Sequence, residues 1–162
     1  MRLTTISALC LAGVMSAGFV ANTFAQSMMS ATPLEPDPAI AGMSNEELVA
    51  ARQAAMKEDG GLLRGAAGLQ GQEAINAATV LLTNFTNFPA LFREGSITDK
   101  SEALPVIWER WDEFAALFVQ GQGFAGAALA AAQAGDTAAY QAAIKQFPQL
   151  CGTCHQTFRQ AE

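Results

Sequence analysis

The chain has 162 residues, of which 51% are hydrophobic, and a formal net charge of −6 at pH 7. This length is sufficient for one domain with a buried core. The acidic balance argues against nucleic acid as a partner, and it favours a basic patch on any protein partner.

Residues 1–25 have the features of a secretory signal peptide. Arg2 gives a positive start, an apolar stretch follows, and Ala25 supplies a small residue at the expected cleavage site. We therefore expect export to the periplasm, with no stable membrane insertion after cleavage. An uncleaved membrane anchor is the alternative, because residues 3–25 are nearly long enough to span a bilayer. Cleavage removes one of nine basic residues and none of the 15 acidic ones, which makes the net charge −7.

Residues 26–43 are expected to form a flexible leader. Three prolines in this stretch alternate with acidic residues, and its methionines at positions 28 and 29 stand outside any hydrophobic pattern. A segment of this composition cannot bury enough apolar surface to fold by itself. The folded domain is therefore predicted to cover residues 44–162.

Two helices are predicted in the first half of this domain. Ser44 and Glu47 form a capping-box pattern, which starts the first helix at Asn45. A second helix is expected from about residue 72 to residue 92, because its apolar residues recur at alternating spacings of three and four. Pro89 should bend or end this second helix, since proline cannot donate a backbone hydrogen bond.

Two further helices are predicted in the second half. Pro105 suits the first turn of a third helix, which extends to Ala134. Gly135 then ends this helix, and Asp136 caps the fourth. Pro148 interrupts the fourth helix, where we expect a bend. Four helices with apolar seams and short connections predict an all-α fold, an antiparallel four-helix bundle.

The fourth helix carries the motif that indicates a function, Cys151-Gly152-Thr153-Cys154-His155. This C-x-x-C-H run is the attachment signature of a c-type haem, in which two thiols bond to vinyl groups and the histidine supplies an axial nitrogen. The spacing places all three side chains on one face of a helix. The alternatives are chance, a redox-active dithiol, which lacks its strand-rich context here, and a zinc site, which lacks enough further ligands. We expect one covalently bound haem c on the C-terminal helix.

Four other segments match the pattern of one protein family more weakly than this motif does: residues 52–57, 88–92 with 95–96, 105–108 and 134–136. Together with the C-x-x-C-H run, they make the chain resemble the cytochrome c′ family, the class II cytochromes c. The resemblance extends from about Ser44 to Gln160. The long leader, the paired glycines 60 and 61, and Pro148 depart from the family pattern.

The resemblance implies roles for residues on the first and last helices. Cys151 and Cys154 would hold the haem, and His155 would be the proximal iron ligand. Arg52 and Gln53 would contact a haem propionate, and a guanidinium can pair with a carboxylate through two hydrogen bonds. The sequence by itself favours a solvated surface position for Arg52, because charged residues mostly stay exposed.

Met56 lies one helical turn after Arg52, at the position that faces the distal side of the haem in this family. In some members a methionine sulfur binds iron there and gives a six-coordinate, low-spin centre. In others an apolar side chain covers an open, five-coordinate iron. The stretch from Met56 to Gly60 resembles the low-spin members, so we expect His155 and Met56 as iron ligands. Without the resemblance, Met56 would be an ordinary core methionine.

The expected function is electron transfer with redox partner proteins, and thioether ligation would favour the reduced haem. The alternative is a five-coordinate protein that binds nitric oxide or carbon monoxide at an apolar distal pocket. A third interpretation is a thiol oxidoreductase that uses Cys151 and Cys154 directly. The sequence shows no acid–base pair or nucleophile, so we do not expect an enzyme. Homodimers that pair through the first two helices are common in the family.

Overall fold

The computed structural model describes residues 34–161, and within this range the chain is helical apart from loops and one isolated bridge between Ala103 and Arg159. The last two helices of the chain together take the place of the fourth predicted helix, and the chain forms the predicted all-α four-helix bundle. The elements in chain order are a 3-10 helix (Pro38–Gly42), α1 (Asn45–Ala66), α2 (Gly71–Leu91), α3 (Val106–Glu109), α4 (Trp111–Ala134), α5 (Thr137–Ile144) and α6 (Phe147–Phe158).

The second half of the predicted leader is folded, contrary to our expectation. The Asp37 carboxylate accepts a hydrogen bond from the Ala39 backbone, and the Asp37 N–H donates to the Asn87 side chain on α2. Ile40 is only 5% exposed and belongs to the bundle core. One buried isoleucine thus attaches this segment to α2, which composition alone did not reveal. The predicted signal peptide and the first part of the leader lie outside the described residues.

The boundaries of α1 and α2 follow the predicted signals closely. The Ser44 hydroxyl accepts from the Glu47 N–H at 3.3 Å, and the Glu47 carboxylate accepts from the Ser44 N–H at 2.7 Å, which completes the capping box. Paired glycines inside α1 do not end it, although each costs about 1 kcal/mol relative to alanine. Pro89 lies in the last turn of α2, which ends two residues later at Leu91.

The third and fourth helices of the bundle are each divided. Pro105 precedes the short α3 as expected. The backbone then leaves the helical region at Arg110, and α4 begins at Trp111 as a separate helix. Gly135 then ends α4 in the left-handed conformation (φ +72°), and the Asp136 carboxylate accepts from the Ala139 N–H. The bend expected at Pro148 is a complete break, because α5 ends at Ile144 and Pro148 lies in the first turn of α6.

The core between α2, α4 and α6 is aromatic. Phe85 on α2 lies 5.2 Å from the ring of Phe147 on α6, measured between ring centroids, and Phe114 on α4 lies 5.1 Å from Phe158. The close approach of α2 and α4 requires a glycine at position 121, where a β-carbon would lie 2.0 Å from the Phe85 ring. By length and composition α4 is the one helix within residues 34–161 that could cross a membrane, and here it packs against α2.

Candidate haem site

The site lies between α1 and α6, where two cavities share part of their lining. Met56 from α1 and Cys154 and His155 from α6 line both cavities. The first cavity extends towards the loop between α2 and α3, and the second extends towards Cys151 and the aromatic core. The structure therefore brings all six candidate residues of the sequence to one place: Arg52, Gln53, Met56, Cys151, Cys154 and His155.

The two cysteines of the motif are unpaired and partly buried on the cavity side of α6. Burial raises the pKa of the Cys154 thiol to about 11. The pKa of Cys151 is raised as well, first by burial and then by the nearby charge of Asp59. Reactive dithiols need a lowered thiol pKa, because the thiolate is the nucleophile. These environments therefore argue against the thiol oxidoreductase interpretation, while thiols held one helical turn apart suit attachment to a haem.

His155 is partly buried beside an ion pair. Its pKa is lowered, first by burial and then by the positive charge of Arg159, whereas Glu102 acts in the opposite direction. Arg159, which directly follows α6, and Glu102, in the loop between α2 and α3, form a salt bridge of 3.6 Å. Neutral imidazole is the form that binds metal ions, so this environment favours the state of His155 that an iron ligand needs.

Arg52 is buried, with 3% of its surface exposed, and is not the solvated arginine that sequence alone favours. Its Nη1 donates to the Leu91 carbonyl and the Ser96 hydroxyl, at 3.1 and 2.8 Å. Its Nη2 donates to the Ser96 carbonyl and the Ser101 hydroxyl, at 2.8 and 2.7 Å. The guanidinium also lies 4.5 Å from the centre of the Phe92 ring. Burial lowers the pKa of Arg52 to about 10, so it stays charged at neutral pH.

Gln53 binds the same loop from the exposed side of α1. Its Nε2 donates to the Lys100 carbonyl at 2.8 Å. Arg52 and Gln53 thus both hold the loop between α2 and α3 against α1. Both residues also line the first cavity. Their contact with a haem propionate stays a prediction.

Met56 is partly buried and packs against the hydrophobic core. Its side chain lines the same two cavities as His155, although the two residues come from different helices. This position is suitable both for a sulfur ligand to iron and for an apolar cover over an open iron.

Asp59 is a site residue that our sequence reasoning missed. Its side chain is 5% exposed, lines the second cavity beside Cys151, and accepts a hydrogen bond of 2.7 Å from the Asn84 side chain on α2. Burial raises the pKa of Asp59 to about 7; the Asn84 hydrogen bond opposes this shift and the charge of Glu58 adds to it. The available signal was its spacing, because Asp59 follows Met56 by three residues on the same helical face.

The character of the cavity lining fits a haem, which is a flat apolar ring with a polar edge. Three phenylalanines line each cavity, and most of the polar lining residues belong to the first cavity. The apolar lining includes Phe85, Phe88, Phe92, Phe114, Phe118 and Phe158, and the polar residues of the first cavity include Arg52, Gln53, Ser101, Glu102 and Arg159. Two thiols and an imidazole on one face of α6 complete the donor set that haem c requires.

Comparisons with known proteins agree with this geometry. The family model described as Cytochrome C′ matches residues 46–159 of the chain. Cytochrome c′ of Pararhodospirillum photometricum is 35% identical over 124 residues, which cover 72% of this chain and 99% of that protein. Cytochrome c-556 of Agrobacterium tumefaciens (strain II Chrys) is 38% identical over 115 residues, which cover 67% of this chain and 93% of that protein. Cytochrome c-554 of Cereibacter sphaeroides is 42% identical over 77 residues, or 46% of this chain and half the length of that relative.

Solved structures share the same fold. The crystal structure of cytochrome c′ from Thermochromatium tepidum matches with a TM-score of 0.64 and 24% identity, over 74% of this chain and 98% of that one. The nitric oxide complex of a variant of cytochrome c prime from Alcaligenes xylosoxidans matches with a TM-score of 0.62 and 26% identity, over 73% of this chain and 98% of that one. The chain therefore belongs to the cytochrome c′ family and carries one covalently attached haem c.

Proposed function

We propose that this protein binds nitric oxide or carbon monoxide at its haem, with His155 as the sole protein ligand to the iron. The observation that carries the proposal is that the guanidinium of Arg52, which lines the first cavity together with Met56, is already engaged by other groups. Both Nη atoms of Arg52 already donate to the loop between α2 and α3. Distal hydrogen-bond donors and polarity decide which ligands a haem retains, and dioxygen benefits from such donors more than nitric oxide or carbon monoxide does.

The aromatic lining supports the same proposal. Phe88 and Phe118 line the second cavity next to Met56, and each is less than 5% exposed. The haem would supply an iron with one open coordination position, and Met56 would cover it without bonding to it. A relative with 26% identity has been solved as a nitric oxide complex, which further supports a small gaseous ligand.

Electron transfer is the second candidate, and it was the main prediction from the sequence. The position of Met56 favours it, because the thioether lines the same cavities as His155 and comes from a different helix. A sulfur ligand would fill the open position, so that the iron could change its oxidation state without a change in coordination. A small contact with a redox partner protein would then suffice for function. Neither candidate is an enzymatic reaction.

Absorption spectroscopy of the holoprotein, with and without the substitution Met56→Ala, distinguishes the two candidates. If Met56 only covers the iron, the ferric wild type is high-spin, and the substitution leaves the spin state unchanged while it speeds carbon monoxide binding to the ferrous form. Met43→Ala is the control, because Met43 packs against the core but lines neither cavity. A low-spin wild type with a sulfur-to-iron charge-transfer band that Met56→Ala abolishes would contradict the proposal and favour electron transfer.

We also infer that the mature protein is periplasmic and forms a homodimer through α1 and α2. Leu62 and Leu63 on α1 and Leu82 on α2 are only partly buried within one chain, which supports such an interface. Native mass spectrometry of protein exported by a bacterial host tests both statements. We expect a dimer of chains that begin at Gln26; a monomer, or a chain that still begins at Met1, would contradict the corresponding statement.

A further inference from the structure

Asp59 is the only acidic side chain that is buried within residues 34–161. Acidic residues are seldom fully buried unless a cation pairs with them. No Lys, Arg or His in the described part of the chain forms a salt bridge with Asp59. Among residues 34–161, the Asp59 side chain has one hydrogen-bond donor, the neutral Nδ2 of Asn84, at 2.7 Å. A buried carboxylate that accepts a single hydrogen bond from a neutral donor stays ionised only if a positive charge lies nearby.

Haem c brings such a charge to this cavity. Asp59 lines the second cavity together with Cys151, Cys154 and His155, the three residues that attach the haem. The charge of Asp59 already acts on the Cys151 thiol, which places the carboxyl within electrostatic range of the attachment point. A ferric haem ring carries one net positive charge, and the ferrous ring carries none. Interactions between charges are strong in such a buried site, because the effective dielectric constant is low.

We propose that Asp59 couples reduction of the haem to the uptake of one proton. In the ferric protein the Asp59 carboxylate is charged and stabilises the positive haem. When an external one-electron donor reduces Fe(III) to Fe(II), that positive charge disappears and the carboxylate takes one proton from solvent. One electron and one proton enter together, so the net charge of the site does not change. The inference depends on haem attachment and applies to either choice of axial ligands.

The other groups around Asp59 do not replace it in this role. On α1, Glu58 is exposed, and its carboxylate also accepts from Asn84, at 3.0 Å. On α2 the facing group is the neutral Asn84. On α4 the cavity is lined by Leu117 and Phe118, which carry no charge. On α6 the two cysteines would form the thioether bonds and His155 would bind the iron, so none of the three would titrate. The haem propionates are then the other titratable groups.

The test is the reduction potential of the holoprotein, measured by spectroelectrochemistry between pH 5 and pH 9. Proton uptake on reduction makes the potential fall as pH rises, by up to a tenfold change in the equilibrium constant per pH unit, or about 59 mV for one electron. We expect this slope around neutral pH in the wild type. We expect Asp59→Asn to remove it and to hold the potential near the wild-type value at pH 5.

Two further variants make the test specific. Glu58→Gln removes a carboxylate of the same helix from an exposed position, and it should retain the wild-type slope. Asn84→Ala removes the hydrogen bond that favours the charged form of Asp59, so the sloping region should move to higher pH. If Asp59→Asn fails to fold, this shift still tests the proposal. A wild type without a slope, an Asp59→Asn variant with the wild-type slope, or an Asn84→Ala variant without a shift would each overturn it.

The outcome is independent of the proposed function. The spin state and carbon monoxide binding report on Met56, whereas the pH dependence of the potential reports on Asp59. Either result can fail while the other stands.

Discussion

Helices α1 and α6 line the same cavities, but they position their functional residues in different ways. On α6, helical spacing alone brings the two thiols and the imidazole to one face. On α1, the two buried charges depend on partners from elsewhere in the chain: Arg52 donates four hydrogen bonds to residues 91, 96 and 101, whereas Asp59 accepts one from Asn84. Helix α6 thus supplies the attachment chemistry, whereas α1 combines a fixed charge, Arg52, with a conditional charge, Asp59, whose ionisation depends on its surroundings.

The largest effect is expected on the α6 side of this comparison. The double substitution Cys151→Ser and Cys154→Ser leaves no thiol to bond the vinyl groups, so the denatured protein should have the mass of the bare polypeptide. Mass spectrometry after expression in a host that attaches haem c measures this directly. Arg52→Lys is the control from α1, and it should retain the covalent haem. Haem that stays bound to the double variant after denaturation would refute the attachment site.

The second-largest effect concerns Arg52, the fixed charge of α1. Arg52→Ala leaves buried carbonyl and hydroxyl groups of the loop without a donor, and we expect the free energy of unfolding to fall by about 3–5 kcal/mol. Urea denaturation of the holoprotein measures the loss. Gln53→Ala is the matched control, because its single bond to Lys100 is exposed and its removal should cost less than about 1 kcal/mol. Equal losses in the two variants would show that Arg52 does not hold the loop.

The smallest effect concerns the conditional charge. Because the folded protein raises the pKa of Asp59 from 3.8 to about 7, it retains a proton that the unfolded chain releases near pH 4. In the ferrous protein, whose haem ring carries no net charge, the free energy of unfolding should therefore fall as pH rises from about 4 to 7 and then level off. In the ferrous holoprotein at pH 8, Asp59→Asn should be more stable than the wild type by about 1–3 kcal/mol.

Urea denaturation at pH 5 and pH 8 measures this difference. Asp99→Asn, which removes an exposed aspartate from the loop between α2 and α3, is the control and should change neither value. If Asp59→Asn gave no gain at pH 8, the buried carboxyl would have an ordinary pKa, and the contrast between the two charges of α1 would disappear.

Local signals and the family resemblance allowed most of the fold to be predicted from sequence, and they named the six candidate residues that line the two cavities. The capping box at Ser44, the end of α4 at Gly135 and the motif on α6 each depend on neighbouring residues. The break at Arg110, the buried Ile40 and the partners of Arg52 depend on contacts between distant segments, which no local pattern encodes. Asp59 belongs to this second group, because only the packing of α2 against α1 shows that it is buried.

The glycine at position 121 has a consequence for the depth of the haem cavity. The Phe85 ring occupies the space that a side chain at this position would need, and the same ring lines the second cavity. Any residue larger than glycine must therefore separate α4 from α2 or displace the Phe85 ring from its place in the cavity lining. The lack of a side chain at position 121 on α4 thus determines where the Phe85 ring lies in the lining of the second cavity, although position 121 itself lines neither cavity.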